Sequence, residues 1–400
     1  MKILHVLRTV NPSWGGPVEG VKHLAAQARL RGHRVQVACL DHPEAPWLAG
    51  SCLDIEALGP ARLGNFGFTR RLDSWLSANI ANFDVVVVNG IWMYFSDATR
   101  RAATRAQVPY VVFPHGALDP WFKRNYPLKQ VKKTAYWTLV EHKVFRDAAA
   151  VMFTSTEEQR LSHGAFRPYV CNARLTGYGI ADPLARPTEG VGCGEPGELQ
   201  RILPGLGGRR YLLFLARIHQ KKGVDLFLRA IDSMRNRYRD HAFVIAGPGS
   251  VRYVSQMKSL GSTLGLDDRV IWAGALYGGA KWAVMRGAEA YVLPSHQENF
   301  GISVVESLAC GVPVLITNRV NIWSEILAGD GGLVDEDDLS GICRLLNRWS
   351  ELRPEEKKSM RDTARWCFQK HFDIGKTSTR FFDLLMEANH TEPSPSVNAF

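Results

Sequence analysis

The chain has 400 residues, of which 46% are hydrophobic and 22% charged, a balance that excludes a disordered or fibrous protein. Its length favours two domains, because a single hydrophobic core stops growing beyond roughly 250–300 residues. The net charge of +10 is concentrated in residues 1–180, which contain 22 Lys and Arg against 13 Asp and Glu, whereas residues 181–400 contain 27 against 26.

Short apolar runs alternate with helical patterns in the first half of the chain. The first helical pattern, Val18–Arg31, is closed by Gly32 and lies between two such runs, which predicts a β-α-β unit. Runs rich in β-branched residues and bounded by polar or turn residues predict buried parallel strands. The predicted strands are Ile3–Leu7, Val35–Leu40, Val85–Val88, Tyr110–Phe113 and Ala149–Phe153.

The same alternation restarts after a segment rich in proline and glycine. The second set of predicted strands is Tyr211–Ala216, Phe243–Ala246, Val270–Trp272, Tyr291–Leu293 and Val312–Ile316, and the intervening helical patterns are Val224–Arg235, Tyr253–Leu260, Ala280–Arg286 and Ile302–Ala309. We therefore predict an α/β protein with two Rossmann-like, doubly wound domains facing across a cleft. The predicted boundaries are an N-terminal domain at 1–180, a linker at 181–209, a C-terminal domain at 210–375 and a helix at 376–390 that returns to the N-terminal domain.

The most specific motif follows the predicted strand Tyr291–Leu293. Glu298 is placed in a loop, and Glu306 two turns into the next helix among apolar neighbours. A buried carboxylate needs hydrogen-bond partners, and a ribose diol is a suitable one. The alternative is that Glu306 only caps or pairs within its own domain.

Two further loops of the second half carry candidate donor-site residues. Arg217 ends a predicted strand and Lys222 precedes a helix, so both cations can converge on a diphosphate, although a basic loop can equally be a solvated one. Gly247 begins a Gly-Pro-Gly turn that allows close backbone approach to a ligand, or is simply a turn.

In the first half, two loops after predicted strands are candidates. Gly16 lies where a strand leads into a helix, so its N–H is available to a phosphate or an acceptor. His115 follows Tyr110–Phe113 and places an imidazole at a strand end, where a structural role is the alternative to a catalytic one.

Together these motifs resemble glycosyltransferase family four, the retaining GT-B enzymes also called glycosyl transferases group 1. The resemblance covers nearly the whole chain and is most specific at Glu298 and Glu306, with Phe-Gly and Ala-Cys-Gly-x-Pro around them. It is carried by Gly15-Gly16, Gly32-His33, His115-Gly116, Arg217, Lys222-Gly223, Gly247-Pro248-Gly249, Glu298 and Glu306.

The resemblance implies a role for each of these positions. Arg217 and Lys222 would neutralise the donor diphosphate as it leaves, and Glu306 would hold the ribose hydroxyls. Glu298 and His115 would contact the transferred sugar, His115 through its ring or its carbonyl. The remaining implied donor contacts are Gly16, Gly247, Asn299, Phe300, Gly301 and Ile302, of which Asn299 occupies a position that varies in the family and would adjust sugar preference.

The resemblance also implies that neither a metal nor another cofactor is needed, since the two cations take that duty. The run at 335–338 is expected to be a solvated acidic turn. Ala216 stands where the family often has glycine, which leaves the charged groups unaffected. Attack on the same face as the leaving group, with the departing phosphate taking the acceptor proton, would retain the anomeric configuration.

A basic stretch with interleaved aromatic residues lies between Arg100 and Arg146. Such a composition suits an anionic membrane surface, or else a solvated helix with its aromatic side chains turned inward. The predicted acceptor or membrane residues are Lys123, Arg124, Lys129, Lys132 and Lys133. We expect a lipid-linked oligosaccharide acceptor in bacterial surface polysaccharide (lipopolysaccharide) synthesis, with a soluble acceptor as the alternative.

Cysteine usage and hydropathy predict the location. Seven scattered cysteines without a C-x-x-C pair favour a reducing compartment over a disulfide framework or a zinc site. The apolar start Met1–Leu7 is too short for a signal peptide, and no stretch approaches the ~20 apolar residues of a membrane span. We therefore expect a cytoplasmic protein, peripheral at most on the inner face of the plasma membrane.

Three other functions were weighed against the transferase. Nucleic-acid binding is disfavoured because paired glutamates would repel a phosphate backbone. A dinucleotide-dependent dehydrogenase is disfavoured because the first strand leads into no G-x-G-x-x-G motif. A GT-B nucleotide-sugar epimerase shares the donor site and stays open, since it would convert a GDP- or UDP-sugar without any acceptor.

Overall fold

The computed structural model describes residues 1–121, 127–185 and 198–390. It divides into two compact units, Met1–Gly179 with the segment from Ile374 onward, and Ile180–Asp373. Each unit is a parallel β-sheet covered by helices.

The first unit contains, among its described residues, a seven-stranded parallel sheet of order β3-β2-β1-β4-β5-β6-β7. Its strands are β1 Lys2–Leu7, β2 Arg34–Cys39, β3 Asp54–Ala57, β4 Val85–Asn89, β5 Tyr110–Phe113, β6 Ala150–Phe153 and β7 Ala173–Leu175. Its helices are α1 Gly16–Leu30, α2 Arg70–Asn79, α3 Tyr94–Ala106, α4 Pro127–Tyr136, α5 His142–Arg146, α6 Thr156–Ser162 and α15 Ile374–His390, and a π-helical turn, Trp137–Glu141, joins α4 to α5.

Both faces of this sheet are buried, which explains the continuous apolar runs of its strands. Along β1, Leu4 and Val6 belong to a core that includes α2 and α3, whereas Ile3 and Leu7 belong to a second core with α1 and α15. Phe381 of α15 lies in that second core.

The second unit contains, in the part of the chain that the structure describes, a six-stranded parallel sheet of order β10-β9-β8-β11-β12-β13. Its strands are β8 Arg210–Leu215, β9 His241–Ala246, β10 Val270–Gly274, β11 Ala290–Leu293, β12 Val314–Thr317 and β13 Gly332–Asp335. Its helices are α7 Glu198–Ile202, α8 Val224–Ser233, α9 Val251–Thr263, α10 Gly278–Gly287, α11 Ile302–Ala309, α12 Trp323–Ala328, α13 Leu339–Glu351 and α14 Pro354–His371.

Three observed strands differ from the predicted set, and all of them lie at sheet edges. The unpredicted strands β3, β7 and β13 are only three or four residues long, and each is partly exposed. Edge strands need no continuous apolar run, because one side of the strand and part of its faces contact water. Their sequences therefore lack the signal that identified the central strands.

The segment predicted as a linker is only partly a loop. Among its described residues, α7 and the 3-10 turn Pro204–Leu206 precede β8, and Leu203 and Leu206 are buried. Two isolated leucines among glycine and proline residues give no helical or strand periodicity. The sequence therefore predicted only a linker where residues 198–206 form a short helix and a 3-10 turn. Residues 186–197 lie outside the described part.

Candidate functional site

The loop after β8 packs closely against the loop after β11. Gly223 has a φ of +65°, and a Cβ at this position would lie 2.0 Å from the carbonyl oxygen of Pro294. His296 N–H and the Ser295 hydroxyl both donate to the carbonyl oxygen of Lys221, at 2.8 and 2.9 Å. These bonds fix the two loops against each other at the carboxyl ends of their strands, where parallel α/β sheets bind ligands.

Buried Lys222 and partly buried Glu298 form an ion pair between these two loops. The Lys222 side chain is 4% exposed and that of Glu298 is 21% exposed. Burial alone would raise the pKa of Glu298, but the charges of Lys222 and Lys221 outweigh it, so the pKa is lowered and the carboxylate is ionised at neutral pH. The structure thus brings together two of the predicted catalytic residues, 76 positions apart in the chain.

The segment from Glu298 to α11 is held by a neighbouring loop. Glu298 N–H donates to the carbonyl oxygen of Arg319, and Asn321 N–H donates to that of Glu298, both at 3.0 Å. The Asn321 amide also donates to Asn299 Oδ1 at 3.2 Å, a contact that no sequence motif indicated. Gly301, at a φ of +73°, ends this segment and is the N-cap of α11. The first N–H groups of a helix have no carbonyl partner within it, so those at Ile302 face the loop end of the sheet.

Glu306, the fifth residue of α11 and little more than one turn into it, is paired with Lys281. Lys281 Nζ lies 2.6 Å from Glu306 Oε1, and the two side chains are 22% and 13% exposed. Lys281 also lies over the ring of Trp282, 4.2 Å from its centroid. Glu306 therefore pairs within its own domain, as the alternative interpretation of the sequence expects. Sequence reasoning missed Lys281, because only the tertiary structure brings its side chain to Glu306.

Arg217 lies in the same loop as Lys222 but is not part of the ion pair. It is exposed and forms no hydrogen bond or ion pair with any residue that the structure describes. The loop is anchored by Gly247, where a Cβ would lie 1.9 Å from the carbonyl oxygen of Ala216. An unpaired guanidinium at a strand end is suited to an anionic ligand.

His115 lies at the carboxyl end of β5 in the first unit. Its φ is +51°, and that of Gly116 is +72°. The turn is held by Glu158, a buried carboxylate whose Oε1 accepts a hydrogen bond from Gly116 N–H at 2.6 Å. The ring stacks on Phe113, its Nε2 is buried without a hydrogen-bond partner among the described residues, and burial lowers its pKa to about 4. The imidazole is therefore neutral at pH 7.

Gly16 and His115 both contact Tyr178 in this unit. The Tyr178 hydroxyl donates to the carbonyl oxygen of Gly16 at 3.3 Å, and its ring makes an edge contact with that of His115, 6.4 Å between centroids. Burial also lowers the pKa of His5 to about 4, and its Nδ1 lies 3.2 Å from the Asn89 amide. No motif pointed to His5, which is a buried neutral residue of β1.

The fold buries some side chains of the basic aromatic stretch and exposes others. Trp137 is fully buried in the core, whereas the exposed apolar side chains are Val131 and Leu139, at 70% and 69%. Lys132 is exposed, and Lys133 Nζ lies 4.7 Å from the ring centroid of Trp92. Of the other predicted contact residues, Lys123 and Arg124 lie outside the described residues, and Lys129 belongs to α4 without a described side chain.

Glu141, in the π-helical turn, is a residue that sequence reasoning missed. It is fully buried, and its Oε2 accepts a hydrogen bond from Trp92 N–H at 3.3 Å. Trp92 has a φ of +72°, which is uncommon for a bulky residue. Trp92 Nε1–H in turn donates to the carbonyl oxygen of Ala117, two residues after His115. Glu141 therefore supports the loop that carries His115.

The run at 335–338 was predicted as a solvated turn, but three of its carboxylates are engaged. Asp335 ends β13 and pairs with Arg344, Asp337 contacts Arg319 and His296, and Asp338 caps α13. These are structural roles.

None of the helices described here is both long and apolar enough to cross a membrane.

Comparison with protein-family models and known proteins follows the division into units. Residues 198–366 match the model described as Glycosyl transferases group 1, and residues 15–172 match the Glycosyl transferase 4-like domain. Together the two matches span most of the chain.

Among curated proteins, D-inositol 3-phosphate glycosyltransferase of Thermomonospora curvata is 33% identical over 232 residues, 55% of this chain and 52% of that protein. Lipopolysaccharide core biosynthesis mannosyltransferase LpsB of Rhizobium meliloti is 26% identical over 153 residues, 36% of this chain and 43% of that protein. The matched region spans about half or less of the length of these curated relatives.

Among solved structures, HepE of Anabaena in complex with UDP and glucose aligns with a TM-score of 0.74 at 17% identity, covering 96% of this chain and 99% of that one. This likeness confirms the predicted fold class of two Rossmann-like domains.

Proposed function

Since this chain belongs to the glycosyl transferase group 1 family, we propose that it transfers a hexosyl group from a nucleotide-sugar donor to a glycan acceptor, with retention of configuration. The observation that carries the proposal is the buried Lys222–Glu298 pair, placed at the carboxyl ends of β8 and β11. Burying a lysine to this degree costs desolvation free energy, even when an opposite charge pairs with it. Its burial at a loop end therefore favours a functional role for the charge.

The donor diphosphate is proposed to lie against Arg217 and Lys222. Arg217 offers a fork of N–H donors, and Lys222 offers a point charge that Glu298 keeps in place. As the bond between the anomeric carbon and the phosphate oxygen breaks, negative charge grows on the leaving group, and these cations stabilise it most in that state. The cations supply the charge that a metal provides elsewhere, so the proposed reaction needs neither a metal nor another cofactor.

The nucleoside end of the donor is proposed to bind Glu306. Lys281 Nζ lies 2.6 Å from Glu306 Oε1, and an ionised carboxylate can accept hydrogen bonds from ribose hydroxyls. Backbone N–H groups of Phe300, Gly301 and Ile302 would bind the sugar and the β-phosphate, with Gly16 and Gly247 allowing close approach. Asn299, oriented by Asn321, would contact the sugar.

Retention is proposed to follow from attack on the face that the phosphate leaves. The acceptor oxygen forms the new bond to the anomeric carbon, the bond to phosphate breaks, and the acceptor proton passes to the departing phosphate oxygen. His115, neutral because burial lowers its pKa to about 4, places its ring or carbonyl oxygen beside the developing positive charge rather than adding a competing one.

The proposed acceptor is a lipid-linked glycan of bacterial surface polysaccharide synthesis, reached from the cytoplasmic side. The name of the matched mannosyltransferase LpsB, which refers to lipopolysaccharide core synthesis, supports this class of acceptor. The exposed Val131 and Leu139 beside Lys132 support a peripheral contact with an anionic membrane. Flotation with anionic vesicles tests this contact, and binding that salt does not weaken, or no binding, contradicts it.

The donor is identified by thermal shift against a panel of GDP- and UDP-sugars, since a ligand that binds the native state raises the melting temperature. The stabilising donor is then incubated with and without extracted lipid, and the product is examined by NMR at the anomeric position. A transferase with a lipid-linked acceptor needs lipid and retains the configuration, whereas an epimerase alters the sugar without lipid.

Glu306→Gln tests the donor site directly, with Glu355→Gln on an exposed side chain as the matched control. We expect the first variant to weaken donor binding at least about tenfold, because each hydrogen bond to a charged group contributes more than about 1.4 kcal/mol. The control should bind as the unaltered protein does. Equal affinity in both variants would remove Glu306 from the site.

A further inference from the structure

A surface cavity of about 360 Å³ lies between α2 and α3 of the first unit. Arg70, Arg101 and Arg105 line it together with a single acidic residue, Asp73. Phe68 and Tyr94 add aromatic surface. The cavity is separate in the sequence from Arg217 and Lys222, which belong to the second unit.

One arginine of the cavity is fixed by its neighbours. Arg101 contacts Asp97 at 3.0 Å and Asp73 at 3.4 Å, and its guanidinium lies 3.3 Å from the Tyr94 hydroxyl. That hydroxyl donates to the second oxygen of Asp73 at 2.5 Å. Arg101 and the Tyr94 hydroxyl thus compensate the charge of Asp73. These contacts also hold the side chains of the cavity wall in place.

The other two arginines have no such compensation. Arg70 and Arg105 are exposed and make no hydrogen bond or ion pair with any described residue. Arg70 is also the first residue of α2, where the helix dipole disfavours a cation and favours an anion. Two uncompensated guanidinium groups beside one cavity favour an anionic ligand.

We propose that this cavity binds a phosphate or diphosphate group of a ligand. Arginine forks match phosphate oxygens in pairs, and a phosphate monoester carries close to two negative charges, which corresponds to the two unpaired arginines. The fixed Arg101 supplies further N–H donors at the same wall. The group can belong to a lipid headgroup or to a soluble phosphate, and the experiment distinguishes these sources.

The test is calorimetric titration with inorganic pyrophosphate, carried out in an R217Q background so that the proposed donor site contributes less. R70Q/R105Q is compared with R34Q/R252Q, which removes two exposed arginines elsewhere and changes the net charge equally. We expect affinity to fall at least about tenfold in the first pair and less than about twofold in the second, since a charge-assisted hydrogen bond to an anion exceeds one factor of ten. Exposed side chains contribute little to stability, and a urea midpoint checks that both variants fold.

A second arm uses flotation with vesicles of phosphatidylcholine alone or with phosphatidic acid. Loss of binding to phosphatidic acid in R70Q/R105Q, but not in R34Q/R252Q, supports a lipid headgroup as the source. Loss confined to pyrophosphate binding supports a soluble phosphate. Equal behaviour of the two double variants in both arms overturns the site. None of these readouts needs transferase activity, so the result stands apart from the proposed reaction.

Discussion

Replacing Glu141 by glutamine should stabilise the protein at neutral pH. Burial raises the pKa of this carboxyl from 4.5 to about 8, although hydrogen bonds from Ser96 and Trp92 act against the rise. Between these two values the native state holds a proton that the unfolded chain has lost, so stability falls as the pH rises. This shift costs the native state about 3 kcal/mol at pH 7 and less than about 1 kcal/mol at pH 5.

Glutamine has the shape of the protonated carboxyl and cannot ionise. Its carbonyl oxygen can still accept the hydrogen bond from Trp92 N–H, which the native Oε2 accepts at 3.3 Å. The stability of Glu141→Gln relative to the unaltered chain should therefore grow by about 1 kcal/mol for each pH unit between 5 and 7.

The assay is urea unfolding of the full chain at pH 5, 6, 7 and 8, followed by tryptophan fluorescence. Glu44→Gln, on an exposed side chain, serves as the control, because it removes a carboxyl without altering the buried one. The reasoning is refuted if the free-energy difference for Glu141→Gln is the same at every pH, or if the variant is the less stable protein at pH 7.

Three other substitutions probe the proposed donor site. Arg217→Ala should lower turnover at least about 100-fold through loss of leaving-group stabilisation, while its urea midpoint stays unchanged because the side chain is exposed and unpaired among described residues; near-normal steady-state rates would contradict this. Lys222→Met should cost about 1–3 kcal/mol by removing the charged partner of the partly buried Glu298; adding Glu298→Gln should restore most of that in urea unfolding, and simple additivity would count against the pair. Gly223→Ala should destabilise by more than Gly32→Ala in thermal unfolding, because both have positive φ but only at Gly223 would a Cβ lie 2.0 Å from a carbonyl oxygen.

The central strands and the motif loops could be predicted from local sequence. A parallel strand covered on both faces must be apolar throughout, so β4 and β5 are recognisable without knowledge of their neighbours. Lys222 and Glu298 were placed at strand ends by the same alternation, and parallel strands carry their ends to one edge. Their side chains do meet in the structure. The edge strand β3 escaped prediction because its partly exposed residues carry no such pattern.

Which side chains pair was decided by tertiary packing. Glu306 meets Lys281 only in the folded chain, because the two residues lie 25 positions apart and no local pattern indicates their contact. Trp137 is buried and Leu139 is exposed within one short turn. The composition of the basic aromatic stretch does not indicate which of the two is buried. Glu141 has a raised pKa only because the fold removes it from water. The sequence alone determined the fold class, the family and the two loops whose Lys222 and Glu298 meet, because these depend on local patterns. Charge pairing and burial depend on distant elements, and only the folded chain decides them.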